Sequence, residues 1–277
     1  MSSVGTLRAA TTLALWTAAA QGGASADDVL GAIDDAGHRA GVRAATAEIS
    51  DATGLPGPGW PSAGSAALLP LLRDGGAAEL LLPYPGDMRG LPLGGELTVA
   101  GLDAGALVVL PANGIALVPS DGQWRAYRCT TNNPALGLGE AHEMLDAAVG
   151  RATRSLTALD VARGSDSARE QVRRVMLDEA VSCPPGTPPA ASALLATSIS
   201  LHALLAVANS QDTAAVTSYE MAAVDDVLRP LAIAIRESRR AAVAAAVRVL
   251  SVPRSGGTWA TRQPTRSRRS AADPGHH

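Results

Sequence analysis

Apolar residues recur along this chain in two rhythms, and the switches between them mark its parts. Residues 4–47 read as a helical hairpin. Leu7, Leu13 and Trp16 mark a first helix, Gly22-Gly23 turns the chain, and Ser25-Ala26-Asp27-Asp28 opens a second. The Ser25 hydroxyl suits an N-cap, where it takes up a backbone N–H that the first turn leaves free, and the two aspartates suit the positive end of the helix dipole. Val29, Leu30 and Ile33 form the inner stripe and Gly37 a stop, with a continuation of the helix past Gly41 open. Residues 51–65 are a loop built on Gly54-Leu55-Pro56-Gly57-Pro58-Gly59-Trp60-Pro61. Trp60 is expected to plug into the core, because full exposure leaves a large apolar area in water. Leu68, Leu69, Leu71 and Leu72 then form a short helix closed by Gly75-Gly76.

The rhythm changes at residue 78. Residues 78–83 are an apolar run between glycine and proline breakers, hence a strand. Residues 98–103 fit either a short helix capped by Thr98 and ended by Gly105, or a strand. Residues 106–110 and 115–119 flank Pro111-Ala112-Asn113-Gly114, and Asn-Gly between two β-favouring runs is a strong hairpin signal. Asp121-Gly122 turns again into residues 123–129, where Trp124, Ala126 and Arg128 alternate with Arg125, Tyr127 and Cys129. This predicts a small antiparallel meander of three or four strands, too few to be stable without helices on one face.

From Gly139 the pattern is helical again. Leu145, Val149, Ala152, Leu156 and Leu159 step by four and three, which puts them on one stripe, with Arg151 and Arg154 off it. Ser167 and Glu170 have the spacing of a capping box before Val172, Val175 and Met176. Residues 183–189 carry four prolines and form a stiff linker. Residues 190–208 contain no charged side chain, which predicts a buried central helix that the others surround. A final helix over 213–250 must kink or break at Pro230, with Leu231, Ile235, Ala242 and Val249 inward. The fold class is therefore α+β: an N-terminal helical hairpin, a small antiparallel sheet and a C-terminal helical bundle. Residues 1–138 and 139–252 form its two parts, sharing one core, and 253–277 form a disordered basic tail.

Composition narrows the setting. All 23 basic residues are Arg, and Phe is absent, the signature of a G+C-rich genome of actinobacterial type. The net charge of −3 divides into +4 on residues 253–277 and −7 on the rest. An acidic body is a poor footprint for nucleic acid, so any phosphate contact falls to Arg262, Arg266, Arg268 and Arg269 of the tail. Cys129 and Cys183 match neither a zinc nor a redox spacing, and a reduced, cytoplasmic setting is the simpler reading. Arg8, the apolar residues 9–20 and Ala24-Ser25-Ala26 imitate a signal peptide. Thr11, Thr12 and Thr17 interrupt that run, and the helical hairpin is the better reading. Residues 190–208 are long enough to span a bilayer, but their Ala, Ser and Thr content and His202 favour a globular core, so no membrane partner is expected.

Candidate chemistry is sparse. His142 and Asp146 share a helical face beside Glu143, but a zinc protease helix needs a second His where Asp146 stands. The acids instead suit the first turns of a helix. No motif calls for a catalytic residue, a metal or a cofactor. Two polar loops follow strands, 84–92 with Tyr84, Asp87 and Arg89, and 129–134 with Thr131 and Asn132. Such loops carry function often, and these five side chains are suited to a polar or anionic ligand. The plainer alternative is a proline–glycine turn with an Asp87–Arg89 surface pair. His202 reads as a satisfied core histidine and His38 as solvated. Three functions follow in rank: a non-enzymatic cytoplasmic interaction or scaffolding protein, self-associating through its Ala-rich helices; a small-molecule-binding protein or enzyme using the two loops; and a nucleic-acid-associated protein acting through its tail. The tail's Gly, Ser and Arg cannot bury enough apolar surface to offset ordering entropy. A chain ending at Val252 should therefore melt at the same temperature as the full chain in a calorimetric scan.

Overall fold

The computed structural model describes residues 3–39, 41–88, 90–92, 94–130, 133–158, 166–211 and 218–253. In chain order the elements are α1 (Ser3–Gln21), α2 (Ala26–Asp35), β1 (Val42–Ala44), α3 (Ala47–Thr53), α4 (Leu68–Asp74), β2 (Glu79–Leu81), α5 (Glu96–Ala104), β3 (Leu107–Leu110), β4 (Ile115–Ser120), β5 (Gln123–Arg128), α6 (Leu138–Ala158), α7 (Asp166–Asp178), α8 (Pro189–Gln211) and α9 (Ser218–Leu250). The fold is α+β, with an N-terminal helical pair and C-terminal helices around a five-stranded sheet.

The sheet runs β1-β5-β4-β3-β2. Four strands form the expected antiparallel meander, with Leu110 opposite Ile115 across the Asn-Gly turn and Ser120 opposite Gln123 across Asp121-Gly122. The fifth corrects the reading: β1 adds in parallel, Val42 beside Trp124 and Ala44 beside Ala126, so the sheet is mixed. Helix α2 therefore does not resume past Gly41. The segment 98–103 lies inside α5, and Gly105 ends it in a left-handed conformation. Side chains alternate between the two faces of a strand. Both faces are apolar here because both are covered. Leu80, Val108, Leu117 and Trp124 belong to the main core, while Leu81, Val109, Val118 and Tyr127 pack with Leu97 of α5.

Helix α1 is the innermost element. Residues 9–20 are buried on every side, and they touch the sheet on one flank and α9 on another. Its threonines are tolerated because Thr11 and Thr17 return their hydroxyls to the carbonyls of Leu7 and Leu13 at 2.8 and 2.7 Å, four residues back. The stretch that imitates a leader peptide is thus the core of the fold. Helix α2 follows as expected, capped by Ser25 Oγ, which accepts from the Asp28 N–H at 3.1 Å.

Four further expectations are corrected. Trp60 is 71% exposed; Trp124 is the tryptophan wholly inside the core. Helix α8 is not central, since only 39% of its most apolar 18-residue window is buried; it is the one helix among the described residues long and apolar enough to cross a membrane. Helix α9 takes the central place in the C-terminal half, with α6, α8 and α1 all packed on it, and it continues through Pro230. Val249 faces solvent, whereas Leu231, Ile235 and Ala242 are buried. Helix α7 opens at Asp166, one residue before Ser167. Of the stripe on α6, Leu145 and Ala152 are buried and Val149 packs against the core; the Leu156 side chain and Leu159 lie outside the described residues. The basic tail lies outside them as well, apart from Pro253.

The ends of α1 and α9 meet backbone to backbone at Gly22, where an added Cβ would lie 2.0 Å from the Leu250 carbonyl oxygen. Neither backbone can yield as a side chain does. Gly22→Ala should cost about 1–3 kcal/mol or more, the range of overpacked cores. Gly5→Ala, on the same helix with nothing within 4 Å of the new methyl, should be neutral or stabilising. Urea titration of the two variants compares them directly.

Candidate functional site

Helix α9 carries Arg236-Glu237-Ser238-Arg239-Arg240 between two apolar stretches, Leu231–Ile235 and 241–247. The helix is enclosed all round at this level, so Glu237, Ser238, Arg239 and Arg240 are buried. Burying an ion is costly unless a partner meets it. Ser238, Arg239 and Arg240 find theirs on other elements, and Glu237 pairs with Arg240 on the helix itself. Arg240 donates through Nε to the Leu80 carbonyl on β2, at the sheet's edge, and through Nη2 to the Asn133 carbonyl at 2.6 Å. Its Nη1 lies 3.0 Å from both carboxylate oxygens of Glu237. Ser238 donates to the Ala141 carbonyl at the start of α6. Arg239 donates to Glu179 Oε2 at 2.6 Å, just past the end of α7.

Glu179 is fully buried and its second oxygen meets His202 Nδ1 of α8. Burial pushes the Glu179 pKa up, but the His202 hydrogen bond and the Arg239 charge outweigh it and hold the carboxyl below its usual value. Arg239–Glu179–His202 thus binds α9, the end of α7 and α8 together. His202 is satisfied, as its sequence setting suggests, but it is not sealed in: the ring lines a cavity.

That cavity, about 520 Å³, lies between α8 and α9 under the loop after β2. Tyr84-Pro85-Gly86-Asp87 is a tight turn, with the Tyr84 and Asp87 backbones bonded both ways and Gly86 at φ 85°. Proline then glycine at the two central positions suits that turn. Arg236 of α9 closes on it. Its Nη2 donates to Asp87 Oδ2 at 3.1 Å, and its guanidinium lies 4.9 Å from the centre of the Tyr84 ring. Tyr84 and Asp87 are therefore brought together and onto the cavity. Arg89, Thr131 and Asn132 lie outside the described residues, as do Arg262, Arg266, Arg268 and Arg269. The two polar loops do meet: a Cβ on Gly90 would sit 2.8 Å from Asn133 Nδ2.

Residues 10–141 match the N-terminal domain of the Rv1486c-like proteins, and residues 139–243 match their C-terminal domain. The chain belongs to the Rv1486c-like family. Among its relatives are the uncharacterized protein Rv1486c of Mycobacterium tuberculosis strain H37Rv, 28% identical over 84% of this chain and 95% of the relative, and the uncharacterized protein MT1533 of strain CDC 1551, 26% identical with the same coverage. Their source is actinobacterial, in line with the Arg-for-Lys composition. No solved structure matches the chain significantly.

The Rv1486c-like chain holds several other candidates apart from this cluster. His142 Nε2 and Asp146 Oδ2 are 3.5 Å apart on the exposed face of α6. His38 is not solvated but buried against Trp124, with ring centres 5.0 Å apart, and burial lowers its pKa. Cys129 and Cys183 are both free thiols. The sequence reading missed Glu179, Arg236, Arg239 and Arg240. The available signal was the pair of apolar stretches around the charged run, which leaves that part of α9 no solvent face.

Breaking a buried pair leaves an uncompensated ion, so Glu179→Gln should cost about 3–5 kcal/mol at pH 7. Adding Arg239→Met should recover most of that. A carboxyl with a depressed native pKa contributes stability above its unfolded value of about 4.3, and loses it as pH falls through the native value. The gap between wild type and Glu179→Gln should hold from neutral pH to about 5 and narrow below about 4, as read by urea titration at each pH.

Proposed function

We propose that this chain is a non-enzymatic cytoplasmic interaction protein that self-associates through α8. The observation that carries the reading is the helix itself, 23 residues without one Asp, Glu, Lys or Arg and with one face of its apolar stretch exposed. A surface helix ordinarily pairs an apolar stripe with a charged outer face. Here the outer face is Ala193, Ala196, Thr197, Leu204 and Ala208, all exposed, with Ser200 at its centre. From Ala193 to Ala208, at 1.5 Å per residue, it offers a strip about 22 Å long.

A second copy fits that strip. Two-fold interfaces set one patch against itself, and a patch without charge meets no like-charge repulsion there. In an antiparallel crossing centred on Ser200, Leu204 of one protomer seats over Ala196 of its partner, large against small. Sedimentation velocity over a concentration series tests this. Wild type should form a dimer, and Leu204→Arg should be monomeric with an unchanged far-UV circular dichroism spectrum, since Leu204 is 51% exposed. A wild-type monomer at every concentration, an unaffected Leu204→Arg dimer, or wild type that floats with lipid vesicles would each overturn the reading.

A further inference from the structure

We propose that the cavity between α8 and α9 binds a small amphiphilic anion, a carboxylate on an apolar body. The polar side of the cavity is built from α9. Arg229, Arg236 and Arg239 lie on one face at helical spacing and all three line it. A guanidinium has five N–H donors in a fork that matches a carboxylate. Arg239, with its side chain 3% exposed, is bonded to Glu179 through Nη2, and Arg236 to Asp87 through Nη2, so each keeps donors for a ligand. Among the described lining residues, Arg229, Arg236 and Arg239 stand with one acid, Asp87, and Arg239 is also paired with Glu179 outside the lining. With Nδ1 held by Glu179, Nε2 is the ring nitrogen left to face a ligand.

The rest of the lining is largely apolar. Leu82 of the strand-end loop, Leu205 of α8, and Leu228 and Ile233, which stand among the arginines on α9, supply it. A partly open volume of about 520 Å³ falls within the range of small-molecule sites, which combine an apolar lining with a few placed polar groups. A carboxylate at the arginines puts its hydrocarbon against these side chains. A larger polyanion gains nothing from that wall, and a neutral hydrocarbon leaves the buried guanidinium donors without an acceptor.

Isothermal titration of the full chain with decanoate, 1-decanol and acetate tests both halves of the site. Decanoate should bind saturably, and 1-decanol and acetate at least tenfold more weakly. Arg229→Ala, at the exposed mouth, and Arg236→Gln should each weaken decanoate several-fold. Arg248→Ala, exposed further along α9, should leave it unchanged, and circular dichroism of each variant should match wild type. Should Arg236→Gln fail to fold, Arg229→Ala carries the test alone. The proposal fails if decanoate does not saturate, if 1-decanol or acetate binds as tightly as decanoate, or if Arg229→Ala binds like wild type. The self-association reading stands or falls separately, because Leu204 lies outside this cavity's lining.

Discussion

A helix enclosed on every side has no solvent to receive its charges, and the segment 236–240 of α9 is arranged by that constraint. Its partners had to be supplied by the elements around it. The Leu80 and Asn133 carbonyls, the Ala141 carbonyl, Glu179 and Asp87 come from β2, the loop before α6, the start of α6, the end of α7 and the turn after β2. These polar contacts fix how α9 is rotated and how far it is inserted, which apolar packing by Ala and Val alone specifies weakly. The bond from Arg240 to Leu80 also occupies a carbonyl on the outer strand of the sheet, where an open edge invites strand addition.

Helix α1 meets the same demand by the opposite means. It has one charge, Arg8, which sits at the margin and donates to the Asp35 carbonyl at the end of α2. Everything between Ala9 and Ala20 is small, aliphatic, tryptophan or a threonine bonded into the helix or closely packed. Alanine lets α1 approach the sheet and α9 closely, and at Gly22 the approach reaches backbone contact. One buried cluster consequently runs from Leu7 to Leu250, across both of the family's matched regions.

Local signals in the sequence were reliable where one short segment decides the outcome. The Ser25 cap, the Asn113-Gly114 hairpin and the Pro85-Gly86 turn each depend on residues within a few positions. Long-range decisions were not legible. β1 is three residues whose pairing with β5 depends on neighbours eighty positions away. Helices α1 and α8 both carry long apolar runs without a charge, and nothing in either run says which one the rest of the chain will cover. Of the site, Tyr84 and Asp87 were visible as a strand-end turn, but their partner Arg236 lies 149 positions on. Glu179 lies 60 positions from Arg239, and no local pattern around it marks it as buried.

If the buried segment of α9 joins the two halves into one cooperative unit, amide hydrogen exchange will show it. The account predicts that the amides of α1, of β3 and β4, and of residues 235–247 in α9 exchange with a common opening free energy equal to that of global unfolding. Those at the exposed end of α8 should exchange through smaller local openings. Protection in α1 and the sheet that persists while residues 235–247 exchange freely would contradict it, and would mean that the halves fold as separate units.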